Sequence, residues 1–377
     1  MKQHQSSKLQ RVFFLDVARV LAIISITLNH AVNRTYHNSN GQSSEFFAIP
    51  IASTVFKTLM MVFSRVGVPL FLMITGVLIL NKKMENGSDV KRFYKRNLLS
   101  LFITTEIWYC LMYWYLLLFA PYSILQTRNW GSAIAGMFET MLFQNQVAFG
   151  SMWYMPMILC LYLFLPFVTM AKDKLAGSKE KALYLPAVLI FTVSMLLPFV
   201  NDLLKLLGQE RYSSAISTEY LPVYYYLYVL IGYLVSRGVL EKFRTGTVAA
   251  VAAISFLVCC GFQFWAYARP VDYLMDYNFP LLPVVAGFLF ELLRRTADRF
   301  RRMEKPITGL AKIAFGIYFL HIVIMKALVT ILEHWQIIMP LPIRLLALEV
   351  LSVGLSIVMI MPLSKIKLFR KYLFLIK

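Results

Sequence analysis

Charged residues are scarce in this sequence. Asp, Glu, Lys and Arg make up 15% of 377 residues, where about 25% is usual for a soluble chain. Hydrophobic residues make up 59%, against the usual figure of about 45–50%. That excess is too large for one globular core, and it excludes a soluble enzyme and a disordered chain. Cysteines number four (Cys110, Cys160, Cys259 and Cys260), all within apolar stretches. A disulfide scaffold is therefore excluded, and ordinary buried thiols are expected. The five histidines have no metal-ligand spacing with Cys, Asp or Glu, so no metal site is expected. HExxH, Walker, GxSxG and CxxC patterns are all missing. The apolar stretches are continuous rather than alternating, which excludes an outer-membrane barrel. No repeat of fixed period or low-complexity tract stands out. The first apolar stretch contains Asp16 and Arg19 and lacks a small-residue cleavage site, so it reads as a retained span rather than a signal peptide. The tail after Pro362 is too short for a soluble domain, and none is expected.

What is present is a series of long apolar runs. A helix needs about 20 residues to cross a bilayer core. Ten runs qualify: 12–32, 58–80, 98–120, 152–171, 183–200, 220–236, 247–267, 278–293, 309–331 and 343–363. The fold class expected is all-α, a polytopic membrane protein forming one integral-membrane domain over residues 1–377, with the lipid bilayer as its surroundings. The eighth run is short, and Pro280 and Pro283 break its start. Residues 130–147 read as an amphipathic helix at one surface. The net charge is +19; in a soluble protein this would point to nucleic acid, but here it reads as loop charge that sets topology, with no nucleic-acid partner. With the N-terminus inside, 28 of the 38 Lys and Arg fall in inner segments. The positive-inside rule then places both termini in the cytoplasm.

Ionisable side chains within a membrane are costly, and each one invites a functional hypothesis. In the first span Arg19 and His30 are eleven residues apart, three turns plus roughly 20°, so they share a face about 16 Å apart along the axis. Asp16 sits one turn before Arg19 and is placed to pair with it. His30, with an ordinary pKa of about 6.5, suits proton removal from a hydroxyl; the plain alternative is a helix-end histidine wetted by headgroups. The second span carries Arg65-Val66-Gly67-Val68-Pro69 and Thr75-Gly76, the signature of a bent or broken helix lining a cavity, or of a kinked packing helix. Lys91 to Arg96 lead into the third span. They read as topogenic charge, with Arg96 the best placed to grip phosphate. Glu106 needs a partner that the sequence does not name. Trp153 and Tyr154 fit either an interfacial aromatic belt or sugar stacking. In the ninth span Tyr318 and His321 lie one turn apart near mid-membrane, and His321 reads equally as a structural hydrogen-bonder or a site residue.

Arg19 and His30, the Gly67-Val-Pro-Leu-Phe run with Thr75-Gly76, the basic approach to the third span, Trp153-Tyr154 with Tyr162 and Pro166, and Gly316-Ile-Tyr-Phe-Leu-His321 occur in that order. Together they resemble acyltransferase family 3, the integral-membrane O-acyltransferases of bacterial surface glycans, lipids and some antibiotics, from about residue 11 to 363. The resemblance implies a multi-pass protein of the bacterial plasma membrane and no bound cofactor. It also implies acyl-CoA, most often acetyl-CoA, as donor co-substrate, and as acceptor a hydroxyl on a carbohydrate or glycolipid. It makes His30 catalytic with Arg19 as its partner. It groups Arg96, Lys95, Arg92 and Arg65 with donor binding, and Thr75, Trp153, Tyr318 and His321 with the substrate pocket. The chain departs from the family at Thr75 and Ala314, where relatives often carry Ser, and at Met152, where many carry His or another polar residue. The rival expectation is a transporter or flippase for a lipid-linked sugar, since ten spans with broken helices and buried charges fit that too. A non-catalytic partner of a polysaccharide synthase is a third.

Overall fold

The computed structural model describes residues 12–36, 43–119, 130–144, 152–176, 180–210 and 223–376. The basic tail Lys2, Lys8 and Arg11, residues 145–147 of the expected surface helix and residues 220–222 of the sixth run lie outside the described residues. Among the described residues there is no strand. The helices, in chain order, are α1 (Phe13–Thr35), α2 (Ser43–Ala48), α3 (Ile51–Ser64), α4 (Gly67–Leu80), α5 (Gly87–Phe93), α6 (Leu99–Phe119), α7 (Trp130–Met141), α8 (Tyr154–Ala176), α9 (Tyr184–Phe191), α10 (Leu197–Leu206), α11 (Tyr224–Ser236), α12 (Thr245–Tyr267), α13 (Leu282–Thr296), α14 (Glu304–His334), α15 (Leu341–Leu363) and α16 (Lys367–Tyr372). Among the described residues, eight helical stretches are long and apolar enough to cross a membrane. One of them, Leu282–His334, holds both α13 and α14. The shorter apolar α11 adds a further segment. Each of the ten expected runs thus has its helix, and the protein is an all-α polytopic membrane protein.

Sequence chemistry explains the interruptions. The second run begins earlier than expected, at Ile51, and breaks at Arg65–Val66. Pro69 has no N–H to return to the Arg65 carbonyl, so the helix restarts at Gly67. Gly67 also lets α4 close on α1, since a Cβ there would stand 2.7 Å from the Ala22 carbonyl oxygen. Pro283 occupies the first turn of α13, where a missing N–H costs nothing. It therefore opens the eighth span rather than breaking it. Two π-helical turns, Tyr94–Leu98 and Thr192–Leu196, join α5 to α6 and α9 to α10; such insertions re-aim the side chains around them.

Helix α1 is the hub, packed against α3, α4, α13, α14 and α15. Helix α9 has no buried residue, and Leu185, Val188 and Leu189 stand out from the bundle, as a lipid-facing helix requires. Helix ends meet in two sets. Asp16 accepts from Thr308 at 3.0 Å, Asn81 donates to Ser236 at 3.0 Å, and Lys172 donates to the Leu80 carbonyl at 2.7 Å. These contacts, with Arg301 over the Phe13 ring, gather the loops richest in Lys and Arg at one end, the basic end. Tyr36 against Ser53, Lys205 against Asp272 and Arg65 against Asp276 mark the far end.

Candidate active site

Two cavities enter the bundle from opposite ends and stop one helical turn apart. The basic-end cavity, about 440 Å³, is lined by Arg19 and Ile26 of α1, Thr75 of α4, Tyr154 and Tyr162 of α8, and Lys312 and Tyr318 of α14. The far cavity, about 600 Å³, is lined by His30, Asn29 and Arg34 of α1, Arg65, Trp153, Tyr225 of α11, Asp276 and Tyr277 before α13, and Ile322 of α14. On α1 the last basic-end residue is Ile26, and His30 lines the far cavity. On α14 the two cavities are bounded by Tyr318 and Ile322. From Ile26 to Asn29 on α1 is about 4.5 Å of helix and from Tyr318 to Ile322 on α14 about 6 Å, so the wall between the cavities is about one turn thick on both helices. At the start of α8 the adjacent residues Trp153 and Tyr154 divide between the two cavities.

That wall is made of rings. His30 and His321 have centroids 5.2 Å apart, His321 and Tyr318 6.3 Å, and Tyr318 and Tyr154 5.8 Å. His321 is fully buried, and its Nδ1 lies 2.9 Å from the Ile317 carbonyl. A carbonyl only accepts, so Nδ1 carries the proton and Nε2 holds a lone pair. Nε2 has no hydrogen-bond partner among the described residues. The histidine that the sequence left undecided is thus an oriented, unsatisfied base beside His30.

The charges are held in place. Arg19 donates to Asp16 at 2.8 Å, as the one-turn spacing predicts, and Asp16 also ties α1 to Thr308. Replacing Asp16 with Asn should cost about 2 kcal/mol, the loss of a charge-assisted hydrogen bond; an unchanged melting temperature in detergent would contradict this. Arg65 lies 3.7 Å from Asp276 and 5.3 Å over the Tyr277 ring. The segment carrying those two residues is pinned by Met275 N–H to the Gln263 side chain at 2.7 Å and by the Tyr228 hydroxyl to the Tyr277 carbonyl at 2.6 Å. Trp153 stacks on Tyr225 at 6.0 Å and meets Tyr277 at 5.6 Å, giving the far cavity an aromatic side. Its polar side is Asn29, bonded by Ser64 at 3.4 Å, together with Asn33 and Arg34.

The structure divides the residues singled out from sequence into three groups. His30, Arg65 and Trp153 share the far cavity, while Arg19, Thr75 and Tyr318 share the basic-end cavity, with His321 in the wall between. Arg92, Lys95 and Arg96 are exposed on α5 and the π turn after it, and none lines either cavity. They are one layer removed, because Phe93 packs on the cavity residue Tyr162 at 5.8 Å. Sequence reasoning missed Tyr225, Asp276 and Tyr277, which come from segments with no motif of their own. It also missed Glu349, buried in α15, which takes a 2.5 Å hydrogen bond from Thr27, one turn before His30. As the only acidic residue of α15, Glu349 was detectable by the cost of an intramembrane carboxylate. Glu106, like Glu349, keeps one carboxylate oxygen without a partner among the described residues.

Nothing among curated proteins or solved structures matches the chain. A family model described as an acyltransferase domain, that of acyltransferase family 3, matches residues 12–361, nearly the whole chain. The chain belongs to that family and is a membrane acyltransferase.

Proposed function

We propose that this protein is an O-acyltransferase of the bacterial plasma membrane. It moves an acyl group, most simply acetyl, from acyl-CoA at the cytoplasmic face to a hydroxyl of a carbohydrate or glycolipid at the other face. One observation carries the reading: two cavities of opposite access meet at a wall one turn thick that contains two histidines. The basic end faces the cytoplasm by the positive-inside rule, and acyl-CoA is made there. Its arm lies in the basic-end cavity, past Arg19 and Lys312, and carries the thioester past Tyr318 through the ring wall to the His30 side. The acceptor sugar rests against Trp153 and Tyr225 in the far cavity.

The transfer balances as follows. His30 takes the proton of the acceptor hydroxyl, and the oxygen attacks the thioester carbonyl carbon. The C–S bond breaks and an ester forms. The proton returns through the His30–His321 pair to the departing thiolate, giving free CoA. Charge on the carbonyl oxygen in the transition state needs a fixed cation. Arg65 shares the cavity with His30 and fits that role. Arg19, about 16 Å away along α1, belongs to the donor instead. No covalent acyl-enzyme is required.

Mass spectrometry of surface glycans from the native strain, with and without the gene and with a His30→Ala complement, tests this. Loss of one acyl mark in both the deletion and the complement is expected. Unchanged acylation with less glycan at the surface would favour the transport reading.

A further inference from the structure

The basic-end cavity has a wall that belongs to no span. Phe374, Leu375 and Ile376, which follow the short α16, line it beside Thr75, Tyr162 and Lys312. This segment is built into the bundle. The Trp108 indole N–H on α6 donates to the Leu373 carbonyl at 2.9 Å. Phe374 N–H closes on the Phe369 carbonyl at 3.1 Å, and Ile376 N–H on the Arg370 carbonyl at 2.9 Å. Leu375 takes a left-handed φ of 48°, which a non-glycine residue adopts only where its surroundings hold it there.

Phe374 is 1% exposed, and its ring packs against Gly316 of α14, where a Cβ would stand 2.8 Å from a ring carbon. Gly316 is two residues, about 3 Å of helix, from Tyr318 in the ring wall. The Phe374 side chain therefore reaches the deep part of the cavity. Meanwhile α16 carries Lys367, Arg370 and Lys371 on its exposed surface, and Arg370 is tied through its backbone to the lining residue Ile376. One short segment thus supplies an apolar inner wall and a cluster of cations outside it. A ligand with several negative charges at one end and a slender uncharged arm at the other has that polarity.

We infer that residues 367–376 form part of the donor site. Phe374 and Ile376 are the surface against which the thioester arm lies, and Arg370 and Lys371 hold its phosphates. The inference rests on the reading of the basic-end cavity as the acyl-CoA site. It gives the phosphate-gripping role to α16 rather than to the exposed strip Arg92, Lys95 and Arg96, which lines neither cavity.

The test is equilibrium binding of acetyl-CoA to the full chain in nanodiscs. The double variant Arg370→Gln, Lys371→Gln changes only exposed side chains. It should weaken binding about tenfold or more, the loss of at least one charge-assisted contact, and flatten its salt dependence. Phe374→Ala should also weaken binding about tenfold, with Phe374→Leu restoring most of it. The Arg92→Gln, Lys95→Gln, Arg96→Gln variant should bind more nearly like the wild type than the α16 variant does. Wild-type affinity in both the α16 double variant and Phe374→Ala would overturn the inference and leave the donor reading standing. A wild-type protein that binds no acetyl-CoA would overturn the donor reading itself, and the inference with it.

Discussion

Replacing His30 with Ala should lower acyl transfer by about 10²–10⁴-fold, the usual contribution of a positioned general base, with little loss of folded protein. His30 is only partly buried and lines the far cavity, so removing its ring empties no packed core. His321 is a different case because it is fully buried, and truncation to Ala would mix a cavity cost with a catalytic one. His321→Asn separates them. The Asn amide can donate to the Ile317 carbonyl as Nδ1 does, but it places no basic nitrogen beside His30. A similar fall in rate at nearly unchanged thermal stability is expected. Release of free CoA from acetyl-CoA by membranes containing each variant measures both. A His30→Ala enzyme working at the wild-type rate would remove His30 from the mechanism. A His321→Asn enzyme doing so would leave His321 a structural residue that merely braces its neighbour.

The second large effect concerns folding. Helices α4 and α11 pack backbone to backbone. A Cβ on Gly76 would run into the Val229 carbonyl, and one on Gly232 would run into the backbone of Met73. The obstacles are main-chain atoms of packed helices, so no side chain can rotate away to make room. Within a bilayer, where lipid tails are as apolar as leucine, such close approach of small residues is a main source of helix–helix attraction. Gly76→Val should therefore force the two helices apart and cost about 3 kcal/mol or more. The measurement is the fraction of monodisperse protein after detergent extraction, followed on heating. Gly261→Ala in α12 is the control, since a Cβ there meets nothing within 4 Å. It should leave stability unchanged or raise it by up to about 1 kcal/mol through helix propensity. If Gly76→Val extracts and melts like Gly261→Ala, the close packing of α4 on α11 does not hold the bundle.

The sequence by itself determined the material, the apolar helical runs and the local pairings. Lipid rewards long apolar helices and loop charge orders them, and both properties are visible in a single run of residues. For the same reason the break before Gly67-Val-Pro69 and the Asp16–Arg19 pair were legible, because proline geometry and a one-turn spacing act within one helix. The axial distance from Arg19 to His30 was also readable, but its meaning was not. Along α1 they form one polar stripe; in the bundle, packing of α4, α8 and α14 divides that stripe between two cavities, with Arg19 in one and His30 in the other. Only tertiary structure could bring His321 to His30, Glu349 to Thr27, Asp276 to Arg65 and Phe374 to Gly316. These partners lie on different segments of the chain, far apart in sequence, and nothing in the local spacing of either partner encodes the other. The depth of a cavity and the thickness of the wall that closes it are properties of several helices packed at once, set by ring volumes and by where backbones approach, and they do not exist until the bundle does.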